Sequence, residues 1–241
     1  MTSRSHAEKL LTGIPKAGRR AQYSSSTRRA LIDVAARLFA QYGYAGTSLD
    51  AIVSGARVTK GALYHHFSGK QAVYEAVFEK IENDASARIK KALRRPRDPW
   101  EKATIGLRTF LDVVQNPSYQ RVVIQEGPAV LGYERFREQE ERSSFGLVQD
   151  LVRTVLSASD YNLSEEMVET FSRIFFGAMS AAGEAIATAE DPAAAVARVE
   201  AALNFILTGL RSLADAGVEL PDPVTAEPKP EAEAEAPQEK D

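Results

Sequence analysis

The stretch TKGALYHHFSGK, residues 59–70, sets a glycine, a tyrosine, two adjacent histidines and two lysines within twelve positions. Such a segment could be a short core helix, a metal site built on His65 and His66, or a surface that meets negative charge. At 100° per residue, Leu63 and Phe67 fall on one side of a helix and Gly61 and His65 on the other. Thr59, Lys60, Tyr64 and His66 take the flanks. Only a narrow edge is apolar, too little for a core helix. Adjacent residues on a helix also diverge by about 100°, and His6 is the only other histidine in the chain, which argues against a metal pair.

The flanking sequence decides the matter. Leu31, Val34, Ala35, Leu38 and Phe39 recur at the spacing of a single buried stripe and predict a helix over 27–42, with Ser25 or Ser26 as N-cap and Gly43 as stop. A short helix follows over 48–56, with Thr47 and Asp50 resembling a capping box and Ile52 and Val53 facing inward. After the break ARV comes the helix over 59–67. The next helix opens with a Ser68/Gln71 capping box and runs through Val73, Val77, Ile81 and Ile89 toward residue 94. Two short helices joined by a tight turn and braced by a preceding helix make a helix-turn-helix, whose second helix enters the DNA major groove. Gly61 then permits close backbone approach, Lys60 and Lys70 meet phosphates or base edges, and Tyr64 and the histidines supply donors.

Over residues 26–78 the sequence resembles the TetR family of bacterial repressors. The motif F-x-x-x-G lies at Phe39 to Gly43, the T-[ST] opening at Thr47 and Ser48, and the V-[ST]-x-G-x-[LI]-Y-x-[HY]-F run at Val58 to Phe67, with Lys70 beginning the next helix. The resemblance implies an all-α fold, with an amino-terminal helix-turn-helix DNA-binding domain and a larger helical ligand-binding and dimerisation domain. It implies phosphate contacts from Thr47, with Ser48 beside it, and from Tyr64 and Lys70. Contacts at or near base edges fall to Thr59, Lys60, Gly61, Ala62 and His65, with His66 near the DNA backbone. Arg57 departs from the pattern by standing where glycine is usual; it must tolerate the turn's conformation, and its cation could add a phosphate contact.

The 241 residues, 44% hydrophobic and 26% charged, are those of an ordinary globular chain without cysteine, which excludes disulfides, thiolate nucleophiles and cysteine-based zinc sites. The net charge of −3 conceals a division: residues 1–70 hold 11 Lys/Arg against 3 Asp/Glu, and the remainder 19 against 30. A basic end on an acidic body suits a chain of which one end meets a polyanion. Residues 1–24 read as a flexible basic arm, with Arg19 and Arg20 as candidates for the minor groove, and residues 217–241 as a disordered acidic tail. The DNA-binding domain spans 25–70, linked by the helix over 68–94 to a body at 95–216. No uninterrupted apolar run is long enough to span a bilayer and no secretory leader is evident, so the expected location is the cytoplasm.

Five helices are predicted in the body, over 99–116, 118–127, 133–156, 164–189 and 192–214. Asp98-Pro99 and Asp191-Pro192 provide Asp caps followed by proline, and Ser164 caps the fourth. Gly177, Ala178, Ser180, Ala181, Ala182 and Gly183 allow close helix approach, and by the resemblance the last two helices form a four-helix bundle with a second subunit. The resemblance also implies a small-molecule pocket. Its candidate lining is Trp100, Phe110, Phe136, Phe145, Phe175 and Phe176, with Tyr119, Tyr133 and Phe171, and with Arg121, Gln125 and Glu184 as polar groups able to orient a ligand. An aromatic, charge-poor lining favours an apolar or aromatic effector.

With no histidine beyond residue 66, the body offers an enzyme only carboxylates such as Glu134, Glu138 and Glu140, which read as a solvated face. No catalytic residue, metal or cofactor is expected. The function expected is therefore a ligand-released repressor that binds a palindromic operator as a homodimer. The alternatives are an activator of the same kind, or a helical adaptor with a degenerate helix-turn-helix.

Overall fold

The computed structural model of the protein describes residues 16–159, 161 and 163–219, with side chains from residue 22 onward. Within them are ten α-helices, two π-helical segments and no strand. Helix α1 spans Lys16–Gly46 and bends at Gly43, whose φ of 73° marks the stop that the sequence places there. The positive φ is what favours glycine here; a Cβ would also press on the ends of the Glu126 and Arg121 side chains, which would have to shift. The helix starts earlier than its apolar stripe indicates. Residues 16–24, expected in a flexible arm, are helical, and the expected caps Ser25 and Ser26 lie inside the helix. Their hydroxyls turn back to the carbonyls of Gln22 (3.0 Å) and Tyr23 (2.9 Å), which reconciles serine with a helix interior. The rest of the arm, the side chains of Arg19 and Arg20, and the tail over 220–241 lie outside the described residues.

Helices α2 (Leu49–Ala56) and α3 (Lys60–His66) form the helix-turn-helix, and α4 (Lys70–Ala92) leads into the body. Ser48, one residue after the expected Thr47, is the cap of α2, its hydroxyl accepting from the Ala51 N–H at 3.1 Å. Thr47 is buried instead and donates to the Gly43 carbonyl at 2.8 Å. The Ser68/Gln71 capping box does not form either. Gly69 precedes α4 without a side-chain cap, and Gln71 Nε2 donates to the Val130 carbonyl at 2.8 Å, a tertiary partner that outcompetes the local one.

Leu31, Ala35, Phe39, Ile52, Leu63, Phe67, Val73 and Val77 are buried together, so the stripes read from α1 to α4 meet in one core. That core does not end at the head. Val122, Val123 and Leu131 of the body belong to the same cluster, with Tyr119, Val130 and Phe136 packed against it.

In the body, α5 (Pro99–Val114) is followed by a π-helical segment, Tyr119–Gln125, then α6 (Gly127–Leu131) and α7 (Tyr133–Glu140). A second π-helical turn, Glu141–Phe145, leads into α8 (Gly146–Ala158), and α9 (Glu165–Ala187) and α10 (Pro192–Asp215) complete the chain's helices. The expected caps of α5, α9 and α10 form: Asp98 accepts from Glu101 N–H at 2.7 Å, Ser164 from Met167 N–H at 3.3 Å and Asp191 from Ala194 N–H at 3.0 Å. The helix predicted over 133–156 is interrupted by the second π turn, and the one over 118–127 is π-helical rather than α. Apolar periodicity does not separate these forms, because a π turn inserts residues without breaking the helix. Pro128 stands in the first turn of α6, after Gly127, where its missing N–H costs nothing.

Leu107, Leu111, Val114, Ile186 and Ala195 form a second buried cluster joining α5, α9 and α10. Helix α10 also turns Phe205 outward, 81% exposed, while Ile206 and Leu213 are exposed where they border the body cavity. By length and composition α10 is apolar enough to cross a membrane, although Arg198, Glu200 and Arg211 interrupt it.

Candidate nucleic-acid interface and body cavity

Helix α3 is held by one edge. Leu63 and Phe67 are buried, while Thr59, Lys60, Gly61, Tyr64 (57% exposed) and His65 are open to solvent, and Ala62 and His66 are half-buried. The Thr59 hydroxyl caps the helix, accepting from Ala62 N–H at 3.1 Å, which fixes its first turn. A Cβ on Gly61 would meet only the Thr59 hydroxyl, at 3.8 Å, so nothing in this chain requires glycine there. Burial holds the His66 imidazole below its ordinary pKa, and the neighbouring His65 and Arg28 act in the same direction.

Lys60 does not extend freely. Its Nζ lies 2.7 Å from Asp50 Oδ1 across the helix-turn-helix, and that hydrogen bond, followed by the carboxylate's charge, holds the ammonium above its ordinary pKa. Lys70 Nζ sits 4.3 Å from the centre of the Tyr44 ring, a cation–π contact at the base of the same face. Arg57 adopts φ 54°, ψ 42°, the left-handed conformation that glycine takes without cost, and its N–H closes α2 on the Ser54 and Val53 carbonyls. Its side chain is exposed, as is that of Ser48. Of the residues assigned to DNA on sequence, Thr47 alone is buried.

Behind the head lies a cavity of about 540 Å³ among α4, α5, the π-helical segments and α7 to α10. Trp100, Phe110, Phe136, Phe175 and Phe176 line it, as do Tyr119, Tyr133, Phe171 and Glu184. Arg121, Gln125 and Phe145 do not. The Arg121 guanidinium turns toward the head, donating to the Gln41 carbonyl at 3.1 Å and lying 3.4 Å from Glu126 Oε1. Gln125 Nε2 donates to the Ala187 carbonyl at 3.0 Å, and Phe145 packs edge-on against Phe176. The π-helical geometry accounts for the first two, since it rotates these side chains away from an α-helical register.

The cavity has an acidic pole that the apolar pattern does not announce. Glu82 is 1% exposed, and its Oε2 accepts from Ser144 Oγ at 2.9 Å beside the Tyr119 hydroxyl. Burial raises the pKa of both Glu82 and Tyr119. Glu140 also lines the space rather than belonging to a solvated face. Burial, then the charge of Glu82, pushes its carboxyl up to about 7, against the opposing pull of Arg137 at 3.2 Å and of Ser180. One signal in the sequence could have found Glu82: it stands in the i, i+4 series Tyr74, Phe78, Glu82, Ser86, each member of which is buried.

Head and cavity are joined through the segment that begins at Tyr119. Tyr119 lines the cavity, Val122 accepts a 2.7 Å hydrogen bond from the buried Tyr74 hydroxyl of α4, and Glu126 accepts one from the Tyr44 N–H at 2.7 Å. Few residues separate the ligand-sized space from the brace of the helix-turn-helix.

Known proteins agree with this two-part plan. The pattern of the bacterial regulatory proteins of the tetR family matches residues 31–77, and that of the tetracyclin repressor-like C-terminal domain matches residues 100–210. The HTH-type transcriptional regulator AcrR of Shigella flexneri is 38% identical over 79 residues, 32% of this chain; the chain thus spans little more than a third (37%) of that relative's length. A TetR-family transcriptional regulator from Pectobacterium atrosepticum superposes with a TM-score of 0.68 at 29% identity, covering 78% of this chain and 96% of its own. The fold of RolR, solved in complex with resorcinol, superposes at 0.61 and 20% identity over 84% of this chain and 98% of its own. With the head matched by one pattern of the family and the body by the other, the chain belongs to the TetR family of transcriptional regulators.

Proposed function

We propose that this regulator is a cytoplasmic homodimeric repressor, bound to a palindromic operator through α3 and released when a small molecule with an apolar or aromatic body fills the cavity. The observation that carries this reading is the continuity from cavity to head: Tyr119 lines the cavity, and Val122 and Glu126 of the adjoining turns hold α4 and α1. An operator-bound dimer needs one separation of its two reading helices, about 34–36 Å for half-sites one turn apart. A ligand that prefers another separation lowers operator affinity by the ratio of its affinities for the two states. The apolar face of α10 around Phe205, with Ile174 exposed on α9, supports dimerisation, since such a face is stable in water when a second copy covers it. RolR in complex with resorcinol provides a precedent within the fold for a small aromatic ligand.

Selection of genomic fragments bound by the full chain tests this reading. The expected result is a two-fold symmetric site with half-sites about one helical turn apart, next to the genes under control. Recovery of fragments without a common site would remove the operator and the repressor with it.

A further inference from the structure

A purely apolar ligand would leave part of this cavity unanswered. Glu82 Oε1 is buried and no donor among the described residues meets it in hydrogen-bond geometry; Oε2 accepts from Ser144, and the Tyr119 hydroxyl interacts with the carboxyl without closing a bond to Oε1. A buried acceptor without a donor costs its full desolvation, so its persistence on a ligand-sized cavity points to a ligand that brings the donor. The charges of the lining decide what kind of donor. Two carboxyls, Glu82 and Glu140, are shielded in the lining, with the exposed Glu184 and Glu219 at its edge; the cation among the described lining residues is Arg137, whose guanidinium is already engaged with Glu140 and lies 5.7 Å from the centre of the Phe176 ring. Burial disfavours negative charge on Glu82 and Glu140; an anionic ligand would oppose that charge further, a cation would restore it, and a neutral hydrocarbon would bury Oε1 unpaired.

We propose that the effector is an amphipathic cation, a protonated amine or amidine on an apolar or aromatic body, which donates N–H to Glu82 Oε1 and places its charge between Glu82 and Glu140. The aromatic walls contribute twice: they take the apolar body, and their ring faces attract the cation as the Phe176 ring attracts Arg137. This assignment rests on the reading of the cavity as the effector site, and it fixes the chemical class that the reading leaves open.

The test uses the intact chain and three probes of one shape: 4-phenylbutylamine as cation, 4-phenylbutanol as neutral donor and 4-phenylbutyrate as anion. Trp100, the only tryptophan of the chain, lines the cavity and reports binding by its fluorescence. The amine is expected to bind about tenfold or more tightly than the alcohol, and the anion most weakly, as befits a charge-assisted hydrogen bond in a shielded site. Glu82→Gln should erase the preference of amine over alcohol. The assignment is overturned if the amine does not bind saturably, if the alcohol or acid binds as tightly, or if Glu82→Gln keeps the preference; the comparison on the unaltered chain decides even if that variant fails to fold. Operator titration with and without the amine separates the two ideas. A selective amine that leaves operator affinity unchanged refutes release while the ligand class stands, and an operator released equally by all three probes refutes the ligand class alone.

Discussion

The backbone N–H of Tyr44, just past the bend of α1, donates to Glu126 Oε2 of the body at 2.7 Å. Arg121 closes the same joint through Glu126 Oε1 and the Gln41 carbonyl, so one carboxylate connects the brace of the helix-turn-helix to the segment leading from the cavity. Glu126→Ala removes the acceptor, leaving the half-buried Tyr44 N–H unanswered and the Arg121 guanidinium with only the Gln41 carbonyl. Stability should fall by about 1–3 kcal/mol, measured by denaturant unfolding, and more effector should be needed for operator release. Unchanged unfolding would mean that the joint is ornamental.

Lys60 shares its charge with Asp50 at 2.7 Å. An operator phosphate or base must compete with that carboxylate, and the pair therefore opposes indiscriminate binding to DNA. Lys60→Ala should weaken operator binding by about tenfold and Tyr64→Phe by less, with little effect on melting because both side chains are exposed. Asp50→Asn should strengthen binding to unrelated DNA more than to the operator. Gel-shift titrations at fixed salt check all three, and equal affinities across the set would exclude α3 as the docking element.

Two backbone positions are expected to separate stability from affinity. Arg57 holds a left-handed conformation that costs a side chain about 1–2 kcal/mol, so Arg57→Gly should raise the melting temperature; if its cation meets phosphate, the salt dependence of operator binding becomes shallower by about one contact. Gly61→Ala fits the free protein and should stabilise α3 by roughly 0.5–1 kcal/mol, yet lower operator affinity because the added methyl stands on the exposed face. Unaltered binding by Gly61→Ala would show that no DNA backbone or base approaches that face closely.

The raised carboxyls of the cavity give stability a distinctive pH dependence. Glu140 titrates near 7 in the folded chain and near 4.5 when exposed, so between these values the native state binds more protons than the unfolded one. Its contribution is present at low pH and lost as pH rises through about 7. Without ligand, lowering the pH from about 8 to about 6 should therefore raise the melting temperature, by an amount on the order of 1–3 kcal/mol in stability. Glu140→Gln should flatten the curve. A melting temperature that rises with pH across this window in the unaltered chain would contradict the burial of these groups.

The head was legible in sequence because its signals are local and redundant: the stripe of α1, the thin apolar edge of Leu63 and Phe67, and the glycine stop at residue 43 all agree with the structure. Where two side chains could serve one purpose, the sequence did not choose. Thr47 and Ser48 both suit a cap, and the buried hydrogen bond of Thr47 to Gly43 leaves the task to Ser48. In the body, helices and caps were readable but the facing of polar groups was not. Arg121 and Gln125 were assigned inward and point elsewhere, while Glu140 was assigned to solvent and lines the cavity, because π-helical turns shift the register in ways that a 3.6-residue period does not record.

The core that runs from Leu31 and Phe39 of the head through to Val122 and Leu131 of the body has a consequence for engineering and for descent. A head excised at the end of α4 would lose three members of its own buried cluster, so it is not a cassette to be exchanged between relatives at the boundary that the helices suggest. Transplants that carry residues 119–131 with the head should fold and retain operator binding where shorter grafts do not. Such a joint ties changes in DNA preference to packing behind it, and a lineage that alters the one must keep the other in step.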